Sequence, residues 1–134
     1  MGFSRTYRIA FGIAIILTSL SSCSHCDNIG SHIDKTKPFE LFDPAKGWNP
    51  LVPPQEISVN SDKYKMFMHW LSENNCGWHD DFATYEVGGI KQGDFTLFYR
   101  LGCDWVVISF PVKNGKAKQY VKGIKEGELD FLLK

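Results

Sequence analysis

The chain has 134 residues, which suits one modest domain, and its 43% hydrophobic and 14% aromatic content lies outside the range of disordered chains. Fifteen Lys and Arg balance fifteen Asp and Glu, interspersed rather than grouped, which argues against a nucleic-acid partner and leaves no field strong enough to steer a charged one. A glycine-rich phosphate loop, a Gly-x-Ser-x-Gly elbow and a His-x₃₋₅-His pair are all missing, so no cofactor is expected.

The chain opens with "MGFSRTYRIAFGIAIILTSLSSC": Arg5 and Arg8, an apolar run from Ile9 to Leu20, small residues, then Cys23. The run falls short of the about 20 residues needed to span a bilayer, so it reads as the apolar region of a cleaved secretory signal. A buried helix would have to hide Gly12 and a whole apolar circumference. Gly2 with Thr6 fits an N-myristoylation pattern, but that would leave the apolar run without a purpose.

Leu20-Ser21-Ser22-Cys23 resembles the lipobox of bacterial lipoproteins: a branched apolar residue three before the cysteine, small residues between, and the cysteine itself. The resemblance covers only the first 23 residues. It implies cleavage after Ser22, a diacylglyceryl thioether on Cys23, and acylation of the new amino group, with palmitate-class chains, where the organism is Gram-negative. With Ser24 rather than Asp next, it also implies sorting to the outer membrane, the domain lying in the periplasm. Several acyl chains are needed because each buried CH₂ gives about 0.8 kcal/mol and a single chain binds only reversibly.

Residues 1–22 are thus expected to be a signal peptide, 23–38 a lipidated N-terminus and flexible tether, and 39–134 a single α+β domain. Pro38, Pro44, Pro50, Pro53 and Pro54 break up the start of the domain. Phe39, Leu41, Phe42, Trp48, Leu51 and Val52 make that stretch too apolar for a plain linker, and it is expected to run extended and dock on the domain or to serve as a recognition strip.

"SVNSDKYKMFMHWLSENNCGW" predicts the main helix, capped by Asn60 or Ser61, with Asp62 in the first turn and Gly77 beyond the end. At 100° per residue Tyr64, Phe67, Met68 and Leu71 share the core face. Met66 and Trp70 fall away from it, either against the proline-rich strip or as a partner-binding patch.

"FATYEV", "DFTLFYRLG" and "DWVVISFPV" read as strands, and Asn114-Gly115 marks a hairpin. A two-residue turn there would pair Val112 with Ala117 and Ile108 with Val121, placing Val106, Ile108, Phe110 and Val112 on one face. Pro111 would then fall at a hydrogen-bonded position it cannot serve, so either the turn is longer or a bulge sits there. Gly88-Gly89 reads as a turn, and "EGELDFLLK" as an edge strand or a short helix. The expected architecture is α+β, an antiparallel meander packed against one helix.

With Cys23 consumed by lipid, three cysteines remain in an oxidising compartment. A Cys76–Cys103 disulfide, closing a loop of about 27 residues for roughly 3 to 4 kcal/mol, is the expected staple. Cys26 is then the odd thiol, although pairing of Cys26 with either partner is the alternative. "NNCGWHDDF" gathers Cys76, His79, Asp80 and Asp81, which would suit turn-forming aspartates on a surface loop. The function expected is non-catalytic protein binding at the envelope, immunity-like, inhibitor-like or as an accessory subunit of an envelope machine. The alternative is a small periplasmic hydrolase or metal-dependent enzyme using His79, Asp80 and Asp81.

Overall fold

A computed structural model describes residues 24–43, 51–85 and 88–134; Cys23 and Trp48 lie outside them. The described strands are β1 (Phe39–Phe42), β2 (Gln55–Ile57), β3 (His79–Asp80), β4 (Gly89–Gln92), β5 (Phe95–Phe98), β6 (Trp105–Pro111) and β7 (Ala117–Gly123). They form one sheet in the order β2-β1-β4-β5-β6-β7-β3, every pairing antiparallel. With the helix α1 (Asp62–Glu73), this is the α+β architecture expected from the sequence.

Helix α1 starts where Ser61, in an extended conformation, accepts the Tyr64 N–H on its side chain, satisfying one orphan donor of the first turn. Its buried residues Tyr64, Phe67, Trp70 and Leu71 recur at helical spacing and pack on the sheet. Opposite them Leu41, Ile90, Leu97, Ile108 and Tyr120 stand in register across β1, β4, β5, β6 and β7, none more than 7% exposed. Directly opposed residues share a face, so this row is the floor of the core, each member contributing about 1.5 to 3 kcal/mol through burial.

The β6–β7 hairpin differs by one residue from the two-residue register. Ile108 faces Tyr120 and Pro111 faces Ala117, because the loop has three residues, Lys113 to Gly115, closed by Val112 N–H to Lys116 O at 2.9 Å. Gly115 takes a φ of 70°, the left-handed position such loops require. Pro111 thereby lands at a non-hydrogen-bonded pair and needs no N–H.

The stretch expected to be a flexible tether is folded from His25 onward. His25 and Trp78 form an isolated antiparallel bridge, Ile29 and Ile33 are buried, and a 3-10 turn spans Ile29–His32. The His25 ring stacks on Tyr120 and the His32 ring on Phe110, so this segment lies beside α1 on the core side of the sheet. The same bridge corrects the disulfide: it sets Cys26 across from Cys76, and these two are bonded. Cys103 is a free, half-buried thiol in the β5–β6 connection, where its carbonyl accepts the Gly127 N–H.

Three smaller expectations change as well. "FATYEV" is not a strand over residues 82–85; the strand lies earlier, at His79–Asp80, and Asp81 to Tyr85 cross the sheet instead. Gly89 begins β4 rather than making a turn. Phe39 and Leu41 dock as expected, in β1, but Leu51 and Val52 are 88% and 61% exposed. The C-terminal segment resolves into a 3-10 turn, Asp130–Leu132, with Leu129 and Leu132 in the core.

Candidate functional site

Lys91, Thr96, Ser109 and Gln119 stand in register across β4 to β7 on the face opposite the helix, and Phe98 and Val107 form the next row. Phe98 and Val107 are only 9% and 3% exposed although no helix covers them. They border a cavity of about 460 Å³ between this face and the segment that carries Tyr85, with Phe42 at one side. Its walls are aromatic and its floor carries the Thr96 and Ser109 hydroxyls and the Gln119 amide, the composition of a binding site with a few polar groups to set orientation.

Gln119 holds the wall in place. Its Nε2 donates to Asp81 Oδ2 at 2.9 Å and to Ala83 O at 2.7 Å, while Asp81 N–H donates to Gln119 O at 3.0 Å. Tyr85 then rests on Phe98 and Trp105, with ring centroids 5.0 and 5.5 Å away, and Phe98 stacks on Trp105. Burial, and then the Asp81 carboxylate, push the Tyr85 phenol above its usual range, so it is a neutral donor at physiological pH. Phe82, at the crest of this segment, is 93% exposed.

Gly89 fixes the opposite border. Its φ is 104°, and a Cβ there would lie 2.0 Å from Leu97 O. Gly89→Ala is therefore expected to cost about 2 to 4 kcal/mol, combining an unfavourable backbone angle with a forced shift of β4 from β5, as read from urea unfolding.

The three residues named for an enzyme do not converge. His79 lies opposite Val121, itself opposite Val107, which puts it on the groove face. Asp80 is on the core side, its Oδ2 3.2 Å from His25 Nε2, and Asp81 braces the crossing segment. Among the described residues no group of three or more His, Cys, Asp or Glu side chains is placed to hold a metal ion.

Of the two off-core helix residues, Met66 is 51% exposed, but Trp70 is not a surface patch. It is 7% exposed, edge-on to Trp78, and its Nε1 donates to Glu128 Oε1 at 2.7 Å. The C-terminal segment covers it through Glu128. The Trp70 N–H, then the Lys125 backbone N–H and nearby lysines, hold the Glu128 carboxyl below its usual range against the opposing effect of burial. A carboxyl depressed in the folded state contributes stability that is present above its unfolded pKa and lost as pH falls through the folded value. Glu128→Gln is accordingly expected to lower stability at neutral pH and to flatten the loss on acidification below roughly pH 4, measured by urea unfolding across that range.

The groove escaped the sequence because its parts come from strands read only for their core face, and because Gln119 meets Asp81 across 38 positions. The one available signal was the second phase of the alternation, Thr96 with Phe98 and Val107 with Ser109. No family model, no curated protein and no solved structure matches this chain.

Proposed function

We propose that this chain is a lipid-anchored lipoprotein of the bacterial envelope, held on the outer membrane by an acylated Cys23, and that its domain is a non-catalytic protein-binding module in the periplasm. The leader with its lipobox supports the anchor. Among the described residues no helix is long and apolar enough to cross a membrane, and acylation of Cys23 would supply an attachment of another kind. The groove supports the binding role: an aromatic-walled cavity with hydroxyl and amide groups on its floor suits an extended segment or a large side chain of a partner. An immunity or inhibitor role and an accessory role in an envelope machine both use such a surface.

Ser109→Arg places a long charged side chain on the groove floor at a half-exposed position. Affinity for the partner recovered from envelope extract should fall at least tenfold, about 1.4 kcal/mol, with an unchanged unfolding midpoint. His79→Ala should retain both. Full capture by Ser109→Arg, or loss of biological effect in a correctly folded His79→Ala protein, would contradict the proposal. Asp81 is unsuitable for that comparison because it holds the groove wall.

A further inference from the structure

Ser24 alone separates Cys23 from His25, and His25 already belongs to the fold. Its N–H donates to Trp78 O at 2.6 Å, its carbonyl accepts from Trp78 N–H at 3.3 Å, and Asp27 N–H donates to Asn75 O at 2.7 Å. The Cys26–Cys76 disulfide locks the same two segments together, and Ile29 is fully buried just beyond.

We infer that the anchored domain does not stand off the membrane but sits directly on the lipid headgroups through the surface around His25, Cys76 and Gly77. The inference rests on the lipoprotein reading above. Two residues of chain reach at most about 7 Å. The headgroup layer of one leaflet is itself roughly 5 to 8 Å deep. With the diacylglycerol of Cys23 in the leaflet, His25 cannot clear that layer, and the three backbone hydrogen bonds and the disulfide prevent the segment from peeling away to lengthen the reach.

The chemistry of this surface suits headgroups rather than insertion. His25 and Asp80 form a solvent-accessible pair, their side chains 40% and 57% exposed. Lys122 Nζ donates to Cys76 O and lies 5.7 Å from the Trp78 ring centroid. The exposed large apolar side chains among the described residues, such as Met66, Phe82 and Leu101, lie elsewhere in the chain. The seating also sets the direction of the groove. His25 stacks on Tyr120 on the helix side of the sheet, whereas Ser109 and Gln119 open on the other face, so the groove is turned from the lipid toward the periplasmic space.

The test uses isotope-labelled protein produced in a bacterial envelope from the whole sequence and transferred to phosphatidylethanolamine and phosphatidylglycerol nanodiscs, with some headgroups carrying a gadolinium chelate. The amide signals of His25, Asn75 and Gly77 should be lost while those of Thr96 and Ser109 persist. A Gly-Ser insert of about ten residues between Ser24 and His25, with a span of roughly 17 Å, should restore the lost signals. Uniform attenuation, or attenuation that the insert leaves unchanged, would overturn the seating. The mass of the same sample reads the anchor separately. Lipid on Cys23 with uniform attenuation overturns the seating alone, and absence of lipid overturns the anchor and the seating together.

Discussion

Cys26→Ser is expected to lower the stability of the domain by roughly 4 kcal/mol, because the disulfide to Cys76 spans 50 positions and removes the corresponding loop freedom from the unfolded chain. That is a large part of the 5 to 15 kcal/mol typical of a small domain. The loss is not confined to chain entropy. Without the bond, the two-way bridge between His25 and Trp78, the Asp27–Asn75 hydrogen bond and the burial of Ile29 and Ile33 must hold the N-terminal segment. Cys103→Ser serves as the control, since Cys103 carries no bond, and should leave the urea midpoint and the number of free thiols in the remaining chain consistent with one intact disulfide. A destabilisation by Cys103→Ser equal to that of Cys26→Ser would contradict the pairing.

Trp78→Ala should cost about 3 to 5 kcal/mol. Trp78 is fully buried at the point where the N-terminal segment, the end of α1 and the start of β3 meet. Its Nε1 donates to Asn74 O at 2.7 Å, its ring lies edge-on to Trp70, and Lys122 sits over its face. Truncation opens a cavity and leaves the Asn74 carbonyl and the Lys122 ammonium without these partners. Trp78→Phe keeps most of the packing and loses the N–H, so its cost should fall between wild type and Ala. Equal unfolding midpoints for the wild type and Trp78→Ala would show that this junction is not part of the core.

What the sequence made legible was local. The Ser61 cap, the burial of Tyr64, Phe67 and Leu71 with Met68 partly buried beside them, and the alternation of Val106, Ile108 and Phe110 depend on near neighbours, and each is found in the structure. The violation at Pro111 is informative for the same reason: one missing N–H calls for a longer turn or a bulge, and the three-residue loop is the answer found. What was not legible depends on partners far along the chain. Residues 24–38 have the composition of a linker, and nothing near them in sequence reveals that Asn75 to Trp78 complete their hydrogen bonds. Cys26 paired with Cys76 follows from that docking alone. Helical spacing alone sets Trp70 outside the core stripe, and Glu128, which receives its N–H, lies 58 positions away. The groove has the same origin, since Asp81 and Gln119 bring its wall and floor together across strands β3 and β7.

The Cys26–Cys76 disulfide closes the same junction as the two-way bridge between His25 and Trp78, so under the proposed acylation of Cys23 it would also clamp the anchor to the domain. The groove lies on the face of the sheet opposite the His25 ring, with Thr84 and Tyr85 at its wall.

Docking of a protein partner in the groove is measured by photo-crosslinking in cells. A photoreactive amino acid is placed at Thr84 or Thr96, both lining the groove, and at Met66 on the exposed side of α1. Adducts of one defined mass from Thr84 and Thr96, absent from Met66 and abolished by Ser109→Arg, are the expected result. An adduct from Met66 with none from either groove position would contradict it.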